Sequence, residues 1–143
     1  MNIDKLKEQI KHSEGVRTTA YKDTLNNWTT GVGHLIRLPD EEYLLEKELT
    51  EEEVDQIFIT DLNQAIDDAR KFISEDSIPE EAFFVVVDMA YNLGLPKLMR
   101  FQNFQQALRD KDFVQASFEM LDSLWAKQLP NRSKRLAKQM RDA

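Results

Sequence analysis

The sequence predicts an α+β protein, mainly helical, with a small β region near its start, and three observations carry that prediction. Apolar residues recur at helical spacing through most of the chain. That period breaks between Val16 and Ile36, where Thr18, Thr19, Tyr21, Trp28, Thr29, Thr30 and Val32 supply strand formers; three of the four glycines lie in this stretch or directly before it, at Gly15, Gly31 and Gly33. From Thr50 a second helical pattern runs on for about 24 residues, roughly 36 Å at 1.5 Å per residue, long enough to join two lobes. A chain of 143 residues has room for one domain of ordinary size. The expected organisation is a β lobe over about 15–50, a connecting helix over about 50–73, and a helical lobe over 74–143 that also takes in the N-terminal helix 1–13.

Taken in order, Ile3, Leu6 and Ile10 fall on one face of a first helix that ends near Ser13, with Gly15 as its stop. Asn26-Asn27 sits as a turn between strand-forming stretches, which reads as a hairpin or meander. Thr50-Glu51-Glu52-Glu53 is a capping box that opens the long helix with acidic side chains in its favoured first turn. Val54, Ile57, Phe58, Leu62, Ala65, Ile66, Ala69, Phe72 and Ile73 keep the period beyond it. Residues 82–93 are almost wholly apolar. Val85-Val86-Val87 suggests a strand, but the length of the run and the stop at Gly94 favour a buried helix. Three more helical stripes follow, through Phe101, Phe104 and Leu108, through Phe113 to Trp125, and through Leu136, Ala137 and Met140, broken at Asp110-Lys111-Asp112 and at Pro130.

Composition narrows the chemistry. There is no cysteine, which excludes disulfides, thiolate metal sites and a cysteine nucleophile, and two scattered histidines argue against a zinc site. Net charge is −7, against a general polyanion or nucleic-acid binder. The acidity is one block, with 16 acidic and 3 basic side chains between residues 40 and 81. The last stretch, with Lys127, Arg132, Lys134, Arg135, Lys138 and Arg141, is locally basic and reads either as a solvated helix face or as a face for an anionic polymer. No apolar run reaches the length of a signal core or membrane span, so neither export by a leader nor stable membrane insertion is expected.

Carboxylates, hydroxyls and arginines remain as catalytic tools. Glu14 closes the first helix and Asp23 lies nine residues on in the β region. Spacing alone does not separate a catalytic pair from two solvated side chains. Gly31-Val32-Gly33 lacks the third glycine and the helix start of a dinucleotide loop and reads as a tight turn at a strand end. His34 reads as a hydrogen-bonded structural residue and Trp125 as core.

The ordered set Ser13-Glu14-Gly15-Val16-Arg17, Ala20-Tyr21-Lys22-Asp23-Thr24 and Trp28-Thr29-Thr30-Gly31-Val32-Gly33-His34-Leu35 resembles the signature of phage-type lysozymes, the T-even phage endolysin family of glycoside hydrolase family 24. The likeness continues through Leu49-Thr50, Glu53 and Asp61, through Tyr91-Asn92-Leu93-Gly94, and through Trp125, Gln128 and Pro130-Asn131-Arg132 with Lys134-Arg135. The loop around 37–48 and the segment 95–110 match poorly.

The resemblance implies a lysozyme-like fold and a muramidase that hydrolyses the β-1,4 bond between N-acetylmuramic acid and N-acetylglucosamine in bacterial peptidoglycan, with inversion. Glu14 would be the general acid, its neutral form favoured by partial burial at the negative end of a helix. Asp23 would face the developing positive charge and, with Thr29, hold the attacking water; inversion needs the two carboxyls roughly 6.5 to 9.5 Å apart. Arg132 matches an arginine that pairs with the catalytic glutamate. His34 and Asp61 match a structural salt bridge between the β lobe and the long helix. Leu35, Tyr91 and Asn92 match cleft positions that contact acetamido-sugar rings, whereas Phe104 falls where T-even enzymes have a cleft serine and inherits no role. No metal or organic cofactor is implied. The implied setting is a monomeric endolysin made in the host cytoplasm, released to peptidoglycan by a membrane-permeabilising holin. A lytic transglycosylase is the competing enzyme, disfavoured because Asp23 and Thr29 would have no water to hold. A non-catalytic wall-binding or virion protein of the same fold is the competing non-enzyme.

Overall fold

The computed structural model describes all 143 residues, from Met1 to Ala143. The chain forms α1 (Ile3–Glu14), β1 (Arg17–Lys22), β2 (Trp28–Gly31), β3 (His34–Leu35), α2 (Glu51–Phe72), α3 (Glu80–Leu93), α4 (Leu95–Leu98), α5 (Gln102–Arg109), α6 (Phe113–Leu121), α7 (Leu124–Gln128) and α8 (Pro130–Arg141), with short 3-10 turns at Glu42–Leu45 and Glu75–Ser77. It is a mainly helical α+β fold of two compact units, residues 2–64 and residues 65–143 with Met1, and α2 runs from one into the other. No helix is long and apolar enough to cross a membrane.

In the unit of residues 2–64, α1 starts where the Asn2 side chain accepts the Lys5 N–H at 3.2 Å, and it buries Leu6 and Ile10 completely. The three strands form an antiparallel meander in the order β1-β2-β3. Registers Tyr21↔Thr29 and Lys22↔Trp28, then Thr29↔Leu35 and Thr30↔His34, fix which side chains share a face. The capping box forms in both directions: Thr50 N–H donates to Glu53 Oε1 at 3.0 Å and Glu53 N–H to Thr50 Oγ1 at 3.1 Å. Beyond it Val54, Phe58 and Leu62 turn inward at the helical period.

In the unit of residues 65–143, α3 is buried without a break from Ala82 to Ala90. Val85-Val86-Val87 is therefore helix, and burial on all sides explains why the run shows no polar face. Helices α5, α6, α7 and α8 pack in sequence, with α8 also against α3. Phe104 is core: its ring lies 5.8 Å from Phe72 and 6.3 Å from Phe101, which in turn meets Trp125 edge-on at 6.3 Å. Gln105 Nε2 donates to the Phe72 carbonyl at 2.8 Å, satisfying the last turn of α2.

One sequence expectation changes. The stripe from Phe113 to Trp125 is two helices, because Ser123 restarts the chain as an N-cap, its hydroxyl accepting the Ala126 N–H at 3.1 Å. Pro130 opens α8 at a position where a missing N–H costs no intrahelical bond. Helix α4, a single turn, falls in the segment 95–110 that matched the family signature poorly, ahead of the stripe through Phe101, Phe104 and Leu108.

Candidate active site

Glu14 is the last residue of α1, and the Gly15 N–H closes that helix on the Lys11 carbonyl at 2.8 Å. The Glu14 side chain lies against Gly33, in the turn between β2 and β3: a Cβ built on Gly33 would stand 2.6 Å from Glu14 Cδ and 3.0 Å from Cγ. Gly33 has φ +61°, so this position needs glycine twice, once for its backbone and once to leave room for the carboxyl. Gly31 has the same left-handed backbone, φ +62°, but its nearest neighbour is Leu49 Cδ1 at an ordinary 3.8 Å.

Asp23 follows β1 and ties the turn to β2. Its Oδ1 accepts the N–H groups of Asn27 at 2.8 Å and Leu25 at 3.0 Å, while its own N–H donates to the Asn27 carbonyl at 2.9 Å. The same carbonyl accepts the hydroxyl of buried Thr29 at 3.0 Å. Asp23 and Thr29 are thus held by one residue, and the Asp23 Oδ2 and the Thr29 lone pairs remain available as acceptors. Tyr21, near the end of β1, is paired in register with Thr29. Burial raises its hydroxyl pKa, and the charges of Glu14 and then Asp23 push the same way against Arg17. The half-buried Tyr21 thus lies in the field of both carboxylates, and the contact of Glu14 with Gly33 joins the end of α1 to the turn of the sheet that carries Thr29. Leu35, in register with Thr29, is half exposed.

His34 is 8% exposed and sits between two acids, Nδ1 at 2.7 Å from Asp61 Oδ2 on α2 and Nε2 at 3.0 Å from Glu41 Oε1. The hydrogen bond with Asp61 raises the imidazole pKa most; burial opposes it, and the Asp61 charge and Glu41 add to it. The His34–Asp61 contact anticipated from the sequence is present. Glu41 is an addition, from the stretch that matched the family signature poorly. It also accepts from Arg37, through the backbone N–H at 2.9 Å and Nε at 3.3 Å. Burial pushes the Glu41 carboxyl up, but these bonds and His34 bring it below the usual range.

The remaining expected residues belong to the other unit. Asn92, at the end of α3, accepts the indole N–H of Trp125 at 2.9 Å through Oδ1, giving that buried ring its polar partner, and Tyr91 beside it is half-buried. Arg132 grips Asp88, with Nε at 3.0 Å and Nη2 at 2.6 Å from Oδ1, and Nη2 also donates to the Asp88 carbonyl at 3.2 Å. Asp88 is wholly buried. Sequence reading passed over it, although a lone acid inside an apolar helix is itself a signal that a cation must be near.

A family profile, phage lysozyme, matches residues 11–141. The chain belongs to the phage lysozyme family. Among its relatives are two proteins of Dictyostelium discoideum, probable T4-type lysozyme 2, 24% identical, and probable T4-type lysozyme 1, 25% identical, each alignment covering 94% of this chain and 92% of the relative. A peptidoglycan hydrolase, gp36 of Pseudomonas phage phiKMV, is 24% identical over 94% of this chain but only 15% of its own length. Phage lysozymes are hydrolases of peptidoglycan, so Glu14 at the end of α1, with Asp23 and Thr29 at the sheet, is the candidate active site.

Proposed function

We propose that this phage lysozyme cleaves the β-1,4 bond between N-acetylmuramic acid and N-acetylglucosamine with inversion. Glu14 hands its proton to the glycosidic oxygen as that bond breaks, because a sugar alkoxide is a poor leaving group. A water held by Asp23 Oδ2 and the Thr29 oxygen attacks the anomeric carbon from the opposite face and passes its proton to Asp23. Both acceptors are left open by the turn that fixes them. Leu35, Tyr91 and Asn92 are the residues this reading gives to the acetamido-sugar rings, and Arg132, set by Asp88, is the one it gives to orienting the catalytic glutamate. The observation that carries the reading is the pairing of Glu14 on Gly33 with Asp23 and Thr29 on a single Asn27 carbonyl and amide.

In this reading the enzyme works as a monomeric single domain that needs no cofactor. It is an endolysin that accumulates in the cytoplasm of a Gram-negative host and reaches the periplasmic wall after a holin opens the membrane. The test is digestion of purified sacculi with analysis of the products. Reducing N-acetylmuramic acid ends, released first as the α anomer, are expected from the wild type. Glu14→Gln should lose roughly 10²- to 10⁴-fold in rate, the usual value of a general acid. Anhydro-muramic ends would identify a transglycosylase instead, and full activity in Glu14→Gln would remove the mechanism.

A further inference from the structure

Two side chains at the sheet have no part in the mechanism above. Arg17, exposed at the start of β1, places its guanidinium carbon 4.5 Å from the ring centroid of Tyr21. The backbone arranges this contact. Arg17 pairs with Gly31 and Tyr21 with Thr29, so the strand is irregular between them, and residues four apart come to stand together. Arg37, Arg70, Arg132 and Arg141 each meet a carboxylate, in a chain with 26 acids to 19 bases. Arg17 meets only the aromatic face, so its N–H donors have no protein acceptor. A ring holds a guanidinium in place without consuming those donors, which leaves a cation already oriented for an incoming anion. Tyr21 pairs in register with Thr29 and lies two residues before Asp23, so this cation sits on the strand pair that holds those two side chains.

We propose that Arg17, seated on Tyr21, is an anion subsite that takes a carboxylate of the peptide borne by the muramic acid ring. The proposal rests on the muramidase reading given above and adds a source of substrate selectivity to it. Free carboxylates distinguish peptide-bearing strands from neutral N-acetylglucosamine polymers, and a guanidinium fork matches the carboxylate in shape and charge.

The test compares wild type, Arg17→Gln, Arg17→Lys and Lys134→Gln on purified sacculi and on the same sacculi with their carboxylates amidated by carbodiimide and ammonia. Amidation should lower the wild-type kcat/KM about tenfold, the scale of one charge-assisted hydrogen bond. Arg17→Gln should show a similar loss on untreated sacculi, mostly in KM, and should be nearly indifferent to amidation. Arg17→Lys, which keeps the charge and loses the fork, should fall between. Lys134→Gln, an exposed charge on α8, should keep the wild-type ratio. Equal losses for Arg17→Gln on both substrates, or an equal loss for Lys134→Gln, would overturn the subsite in favour of general charge effects. Failure of the wild type to release reducing muramic acid ends from untreated sacculi would instead overturn the muramidase reading.

Discussion

Gly33 and Gly31 offer a matched pair of alanine substitutions that separates backbone strain from displacement of the proposed acid. Both have φ near +60°, so each alanine should cost about 1–2 kcal/mol of stability, since an L side chain crowds its own carbonyl there. For a chain of this length that is a Tm loss of roughly 3–8 °C for either variant. The two then diverge. A new Cβ at Gly31 meets nothing closer than Leu49 Cδ1 at 3.8 Å, whereas at Gly33 it stands 2.6 Å from the Glu14 carboxyl carbon. That carbon has to retreat to an ordinary separation of about 3.6 Å, a shift on the order of 1 Å, and misplacing a catalytic group by that much costs about 10²-fold. Sacculus clearing at 20 °C, below either melting transition, is the assay. Gly31→Ala should stay within a few-fold of wild type while Gly33→Ala falls about a hundredfold. If the two variants melt alike and clear sacculi alike, the contact between Gly33 and Glu14 does not position the acid.

Two further outcomes follow from buried charge. The His34 pKa is raised above its ordinary 6.5, first by the hydrogen bond with Asp61. Its protonation therefore contributes stability in full below that ordinary value, and the contribution is lost as pH rises through the raised one. Urea unfolding of wild type and His34→Gln at about pH 5.5, 7 and 9 should show a difference that shrinks as pH rises; a constant difference would mean that the imidazole charge adds nothing. At the second site, Arg132→Met leaves the wholly buried Asp88 carboxylate without its cation and should cost about 3–5 kcal/mol in chemical denaturation. Adding Asp88→Asn should recover part of that loss, and a single-variant cost below about 1 kcal/mol would show that the pair is not what keeps Asp88 buried.

Features whose cause lies within a few residues were legible in the sequence. The Thr50–Glu53 capping box, the Asn26-Asn27 turn and the buried run of α3 follow from local hydrogen bonding, backbone preference and burial period, and they form as expected. The motif around Glu14, Asp23 and Thr29 was legible only as a resemblance to the phage-type lysozyme signature, since spacing alone does not mark a catalytic pair. The meander that carries Asp23 and Thr29 is short and closed by its own Asp23–Asn27 bonds. Apolar periodicity, by contrast, reports a face and not a cap, so it ran straight through Ser123, where α6 ends and α7 begins.

Tertiary structure decided what depends on distant partners. Arg132 and Asp88 are 44 positions apart, and nothing local to either tells which cation answers the buried acid. Glu41 joins His34 from a stretch with no periodic pattern, held there by Arg37 and by the fold of the loop rather than by its own sequence signal. Gly33 was legible as a turn, but its second requirement, room for the Glu14 carboxyl, exists only once α1 and the β2–β3 turn have met. Sequence sets which conformations each segment prefers; the three-dimensional contacts set which atoms compete for the same space and which charges must answer one another.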